Sequence, residues 1–351
     1  MKSRTPRLRA LSFIFCMAIS SARGNLPANA LPTGGNIISG TAQITQSGNR
    51  LDITQSTQQG IIQWDSFNIG AQSTVNFAQP NSGSTTLNRV LSSDASQIFG
   101  NLNANGSVFL LNPNGVLFGN GAQVDVGGLV ASSMQITDDA FLSGEYLFEG
   151  DAHSGSVINQ GELIGNYIAM LAPEVRNEGV IIAEQGTVAL AAGGAVTLNI
   201  LGNQLIDVEV SEADYDTLVE NKHLVEAEEG FAVLTAKSAV SLLGKVVNTG
   251  EVSASGVIND GGVIRLVASS TVLHSGEITS DGGDAGDGGS VILLSDLENP
   301  DSQTVVSGGI SARGGSSSGD GGFIETSASQ WESLSQQLSL PRHPLDRQEN
   351  G

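Results

Sequence analysis

The residues of this chain best suited to chemistry are five carboxylates, Asp125, Asp138, Asp139, Glu162 and Asp207, and three arginines, Arg89, Arg176 and Arg265. Carboxylates gathered on one groove, with a cation to hold an acidic sugar, are what a polysaccharide lyase or hydrolase needs for acid–base work or for calcium. These acids do not recur at one register of any repeat, and the arginines stand far apart in the chain. Nucleophilic and metal chemistry have less support still. The four histidines, His153, His223, His274 and His343, form no His-Glu-x-x-His pair, there is no Gly-x-Ser-x-Gly elbow, and Cys16 is the only cysteine. The acidic run from Asp281 to Gly289 departs from the Gly-Gly-x-Gly-x-Asp order of a calcium β-roll and is expected to be a flexible corner. The reading is a non-enzymatic chain with no cofactor and no metal. An enzyme built on the same scaffold is the alternative.

The elements that would position these residues are short strands. Asn105 to Gly121 places two apolar runs, Val108 to Leu111 and Val116 to Phe118, on either side of Asn112-Pro113-Asn114-Gly115. Proline presets the second turn position, asparagine bonds its own turn, and glycine accepts left-handed geometry, so this is strand, turn, strand. From Leu31 to Val75 similar segments alternate with turn residues such as Gly34-Gly35 and Gly48-Asn49, and Trp64 with Phe67 could close one end of a core. An open stack of strands exposes unpaired edges, so a cap at that end is expected.

Downstream lies a repeat with two halves, Asn-x-Gly-x-Ile-x-Ala and Gly-x-Val-x-Leu-x-Ala, clearest at Asn177 to Ala183 and Gly186 to Ala192. Copies start at 159, 177, 221, 248, 274 and 306, hence 18, 44, 27, 26 and 32 residues apart. Every second position is apolar or small, so each half is a half-buried strand and the preceding Gly or Asn is a corner. A unit that cannot bury its own face, stacked on its neighbours, describes a parallel β-helix or related solenoid. A sandwich of antiparallel hairpins is the alternative. Within the repeat, Asn112 takes the register of Ala192, Ala236 and Ala268, so strand alternation points it inward at a corner. His223 and His274 fall at corner positions. Ser211 to Glu220 begins Ser-Glu-Ala-Asp, which suggests a short capped helix standing off the coil.

The formal charge is −21, with 15 Lys and Arg against 36 Asp and Glu. Five of the positive residues precede Gly24 and no acid does, so the remainder carries 10 against 36, a net of −26. Such a surface repels phosphate backbones and makes nucleic acid an unsuitable partner. The basic start, the apolar run from Leu11 to Ile19 and Ala28-Asn29-Ala30 together read as a secretory signal peptide over residues 1–30. Its removal takes Cys16 with it, so an exported chain must rely on regular structure rather than disulfides.

Several ordered stretches resemble one family. They are Leu31-Pro-Thr-Gly-Gly35, Ile62-Gln-Trp-Asp-Ser-Phe-Asn-Ile-Gly70, Val75-Asn-Phe-Ala-Gln-Pro-Asn81, Leu87-Asn-Arg-Val90, Ser96-Gln-Ile-Phe-Gly100 and Val108 to Gly119. Together they are similar to the N-terminal secretion domain, also described as a haemagglutination activity domain, of two-partner-secretion exoproteins. These include the filamentous haemagglutinin-like and high-molecular-weight adhesins. The resemblance implies an all-β fold, a right-handed parallel β-helix (solenoid) with an N-terminal cap and small extra-helical elements. It also implies export through the periplasm of a Gram-negative bacterium to the cell surface or the medium. The implied partner is a cognate outer-membrane β-barrel transporter with periplasmic polypeptide-transport-associated domains, alongside a host-cell or glycan receptor. The family motif Asn-Pro-Asn-Gly falls on Asn112, Pro113, Asn114 and Gly115, while Gln79-Pro80-Asn81 stands near the place of a second motif, Asn-Pro-Asn-Leu, that is absent. The expected division is a signal peptide at 1–30, the secretion domain at 31–268, further coils at 269–329 and a polar tail, disordered or loosely docked, at 330–351. A structural biofilm-matrix β-helix without a transporter is a further alternative.

Overall fold

The computed structural model describes residues 26–256 and 261–333, and the chain winds through them as a coil with three sides. One full turn shows the pattern. Thr217–Asn221 lies on the first side, Leu224–Ala227 on the second and Phe231–Ala236 on the third. The next turn places Gly244–Asn248, Glu251–Ser253 and Val263–Ala268 beneath them, each in parallel register with its predecessor. The first sides form a nine-stranded sheet, and the second and third sides lie in a twenty-stranded one. All-parallel stacking of this kind overturns the hairpin sandwich and establishes the parallel β-helix.

The sequence repeat maps onto the stacking without remainder. Asn159 pairs with Asn177, Asn177 with Asn221, Asn221 with Asn248, Asn248 with His274, and His274 with Val306. The unequal repeat lengths are absorbed outside the strands. Within each strand, alternate residues enter one continuous core: Ala232, Leu234 and Ala236, then Ile264, Leu266 and Ala268, then Val291 and Leu293. Each fully buried Leu or Ile of this kind contributes roughly 1.5–3 kcal/mol, so the core is built by addition along the axis.

Glycines set the spacing at the corner that precedes the third side. A Cβ at Gly230 would lie 1.9 Å from Gly186 O, one at Gly262 2.1 Å from Gly230 O, and one at Gly289 2.0 Å from Gly262 O. Backbone rests directly on backbone there, and no side chain fits.

The N-terminal end is closed by antiparallel strands. Ala42–Ser47 returns as Arg50–Gln55 through Gly48-Asn49, and Asn36–Ser39 lies antiparallel on Gln59–Trp64. Trp64 and Phe67 are buried beneath this cap with rings 5.5 Å apart, edge to face, and Trp64 Nε1 donates to Asn88 Oδ1 at 3.0 Å. A second layer covers the outside of the third side. It comprises the antiparallel strands Tyr146–Glu149, Ala195–Leu201 and Gln204–Val210 and the helix Asp138–Ser143. Phe109, which points out of the coil, packs there against Phe141, Tyr146 and Phe148. Hence Ser107–Leu111 is buried on both faces.

Three expectations change. The helix expected over Ser211 to Glu220 is not formed; Thr217–Asn221 is a strand with alternate residues buried, paired on both edges. Ladder bonds on both edges and the burial of Thr217, Val219 and Asn221 override the local capping signal. The helix found among the described residues lies instead at Asp138–Ser143, where Thr137 Oγ1 accepts from Ala140 N and Gly144 closes the end at φ +79°. The tail expected from 330 begins four residues too early, because Gln330–Ser333 still pairs with Gln303–Val306. Stacking also runs across 268/269 with no change of register. Residues 1–25 of the signal segment and 334–351 of the tail lie outside the described residues.

Candidate functional site

The corner at Asn112 to Gly115 joins the third side of one coil to the first side of the next. Leu110 aligns with Ala131, Met170 and Leu190 in successive coils, so Asn112 enters at the inward register. Its side chain is fully buried. Oδ1 accepts from Asn114 N at 3.0 Å, which closes the turn from within, while Nδ2 donates to Asp94 O at 3.0 Å and to Ser96 Oγ at 3.1 Å in the preceding coil. An apolar residue would satisfy none of these groups.

The rest of the corner is clamped from both sides. Gly115 N donates to Asn112 O at 2.9 Å, and Ser96 N donates to Gly115 O at 3.0 Å. From the following coil Gly155 N donates to Pro113 O at 2.7 Å, and Val116 N reaches Ser156 O at 3.1 Å. Gly115 has φ +104°, and a Cβ there would come within 2.5 Å of Ser156 O, so both conformation and space demand glycine. Asn114 is the outermost member. It is exposed, and its Nδ2 donates to Ser92 O at 2.8 Å. The result is a rigid turn that presents Pro113 and Asn114 outward on a buried asparagine.

Gln79, Pro80 and Asn81 form a separate corner at the other end of Ser107–Leu111. Gln79 is buried: Oε1 accepts from Gly106 N at 2.9 Å, and Nε2 donates to Thr86 Oγ1 at 2.9 Å and Ser107 O at 3.1 Å. Pro80 and Asn81 are exposed, with Asn81 and Gln58 exchanging amide bonds at 3.0 Å. Gly106 and Asn112 are six residues apart on an extended strand, so the two corners stand roughly 20 Å apart. They are two surfaces, not one site.

The carboxylates do not converge. Asp138, on the helix, pairs with Arg89, whose other nitrogen donates to Ile136 O at 2.6 Å. Asp125 and Glu162 lie on adjacent strands of the second side, and Asp207 belongs to the outer layer. Arg176 joins an ion-pair network with Glu174 and Glu220, and Arg265 stands over the Phe231 ring at 5.1 Å. Among the described residues no group of three or more His, Cys, Asp or Glu is placed to hold a metal ion. The Asp281 to Gly289 loop is tied down rather than free: Asp281 Oδ1 accepts from Arg313 N at 2.7 Å and Ser311 Oγ at 2.5 Å, and Asp287 Oδ1 from Asp320 N at 2.6 Å.

The corner asparagines of the repeat make a ladder that periodicity alone did not reveal. Asn159 Nδ2 donates to Asn177 Oδ1 at 2.9 Å, Asn177 to Asn221 at 2.8 Å, and Asn221 to Asn248 at 2.8 Å. Asn248 then donates to His274 Nδ1 at 3.1 Å, and His274 Nε2 donates to Gly309 O at 3.0 Å. The ladder's direction therefore sets the neutral tautomer of His274, and burial lowers the pKa of its ring. The recurring Asn at unequal spacing was the available signal.

The family model described as the TPS secretion domain, for two-partner secretion, matches residues 25–282. The chain belongs to this family. The crystal structure of the HMW1 secretion domain from Haemophilus influenzae superposes with a TM-score of 0.72 at 28% identity, over 81% of this chain and 74% of that one. A heme/hemopexin-binding protein of Haemophilus influenzae is 33% identical over 242 residues, 66% of this chain but 26% of the relative. A second protein of that description, also from Haemophilus influenzae, is 33% identical over 156 residues, 44% of this chain and 17% of the relative. The chain thus spans about a quarter or less of the length of these relatives. In this secretion domain the Asn112 corner and the Gln79 corner lie on one capped β-helix, with the Asn112 corner bonded to the coils on both sides of it.

Proposed function

We propose that this TPS secretion domain is recognised in the periplasm by a cognate outer-membrane β-barrel transporter and carried to the surface or medium of a Gram-negative bacterium. The transporter's periplasmic polypeptide-transport-associated domains make the contact. The exported chain serves as part of a haemagglutinin-like adhesin that meets a host-cell or glycan receptor, and it catalyses no reaction. The observation that carries this reading is the Asn112 to Gly115 corner. It spends a fully buried asparagine and a left-handed glycine on holding a tip of half-buried Pro113 and exposed Asn114 in one conformation. A turn needed only to reverse the chain could be built from less restricted residues. Contact begins before the coil has closed, when amphipathic strands of the N-terminal region add to sheet edges of the transporter. Completion of the β-helix outside then opposes return.

The test is export with the cognate transporter co-expressed. Asn114→Ala and Asn112→Ala are each expected to reduce the amount of chain outside the cell. Undiminished export of both would retire the corner's role. Export that persists without the transporter would favour the biofilm-matrix alternative. Calcium-dependent turnover of an acidic polysaccharide would favour the enzyme, for which the separated carboxylates offer no shared groove.

A further inference from the structure

The cap uses residues that a signal cut after Ala30 would discard. Pro27 to Ala30 fold into a turn closed by Ala30 N donating to Pro27 O at 2.9 Å. That turn is bound to the first corner of the stack, where Gly70 N donates to Ala30 O at 2.9 Å and Gln72 N to Ala28 O at 2.7 Å. Gly70 is bare for a steric reason: a Cβ there would lie 2.3 Å from Pro27 O and 2.5 Å from the Ala28 carbonyl carbon. Gly100 repeats the arrangement one layer down, since its Cβ would lie 2.3 Å from Gly70 O. The 27–30 turn is therefore the first layer of a close-packed corner that continues into the coil. Leu31 and Pro32, which follow it, are buried.

A leader is removed at the inner membrane, before the chain folds outside, so a discarded segment can contribute nothing to the finished cap. The segment must then be cut further upstream. Ser20-Ser21-Ala22 directly follows the apolar run Leu11 to Ile19 and places small residues at the two positions that signal peptidase reads. Ala28-Asn29-Ala30 satisfies the same side-chain rule but lies eight residues further from that run, 30 against 22.

We infer that signal peptidase hydrolyses the Ala22–Arg23 bond, so the mature chain begins at Arg23 and keeps the 27–30 turn. The carbon–nitrogen bond breaks, with the hydroxyl of water passing to the Ala22 carbonyl carbon and a hydrogen to the Arg23 nitrogen. The inference rests on the signal-peptide reading and is independent of transporter recognition.

The experiment is expression of the full chain with its own leader in a Gram-negative host that lacks the transporter, followed by N-terminal sequencing of the periplasmic product. The expected start is Arg-Gly-Asn-Leu-Pro. A product beginning at Leu31, or at any residue other than Arg23, overturns the inference. Ala22→Tyr is expected to abolish the Arg23 product, whereas Ala30→Tyr is cut at the unchanged position; the opposite pair of results also overturns it. A chain left uncut removes the leader reading as well. Failure of transporter-dependent export, by contrast, bears on the proposed function and leaves the cleavage site standing.

Discussion

Replacing Asn112 by Ala separates what holds the corner from what the corner displays. The substitution removes three hydrogen bonds, to Asp94 O, Ser96 Oγ and Asn114 N. Their fates differ. Ser96 is buried, so its hydroxyl loses a partner without gaining water, whereas Asp94 and Asn114 are exposed and can be rehydrated. One stranded buried group costs about 1–3 kcal/mol and two replaceable bonds about 0.5–1.5 kcal/mol each, a total of roughly 2–6 kcal/mol. Asn114→Ala removes the single Nδ2 bond to Ser92 O at an exposed position, which costs about 0.5–1 kcal/mol. Urea unfolding of the purified mature chain, followed by circular dichroism, measures both. The expected ranking is a large loss for Asn112→Ala and a small one for Asn114→Ala. A loss below about 0.5 kcal/mol for Asn112→Ala, or equal losses for the two, would refute the argument that the buried amide holds the turn. Set beside export, the pair is informative. An Asn114→Ala chain that is stable but poorly exported places the recognition surface at the tip, and an export defect that follows stability assigns the corner to folding.

The remaining expectations follow from the stack itself. Asn221→Ala breaks the ladder at its centre, taking from Asn248 Oδ1 and Glu251 O the amide that donates to them and leaving Asn177 Nδ2 only its bond to Leu224 O, for a loss of about 2–3 kcal/mol; hydrogen exchange should quicken first in the coils on either side. Gly262→Ala puts a methyl group 2.1 Å from Gly230 O, so the coils must separate, and a normal circular-dichroism melt would contradict the backbone-on-backbone corner. His274 has a pKa held below 6.5 by burial, with Gly309 O and Glu277 opposing the shift less strongly. Its neutral form is favoured by folding, so stability is at its full value above about pH 6.5 and falls as acidification proceeds below it, by up to about 1.4 kcal/mol per pH unit. Urea midpoints between pH 5 and 8 should therefore fall more steeply in the wild type than in His274→Asn, which restores an amide to the ladder; parallel profiles would remove His274 as the cause.

Much of this molecule was legible in its residues. The alternation of apolar and small positions determined which side chains face the axis, because a strand turns its side chains over every second residue whatever lies beside it. Hence the copies beginning at Asn159, Asn177, Asn221, Asn248 and His274 appear as strand pairs in that order. The same rule placed Asn112 inward before any contact was known, and the ordered matches around it named the family. Turn chemistry located the corners at Gly48-Asn49 and Asn112 to Gly115 for an equally local reason.

What alternation cannot say is what covers the outward residues. Phe109 and Leu111 would be solvent-facing on an isolated coil, yet the outer strands and the helix bury them. Those covering elements come from residues 138–149 and 195–210, far along the chain from Phe109, and only the folded coil brings them together. For the same reason Arg89 looked solitary until the helix carried Asp138 to it, and the Ser211 segment looked helical until its neighbours were paired on both sides. The sequence by itself determined the local conformation, the inward face and the corner residues, each set within a few positions of backbone. Tertiary structure alone decided the outer layer, the ion pairs and the joining of the corner asparagines into one ladder, because each depends on which distant coils come to lie within hydrogen-bonding or packing distance.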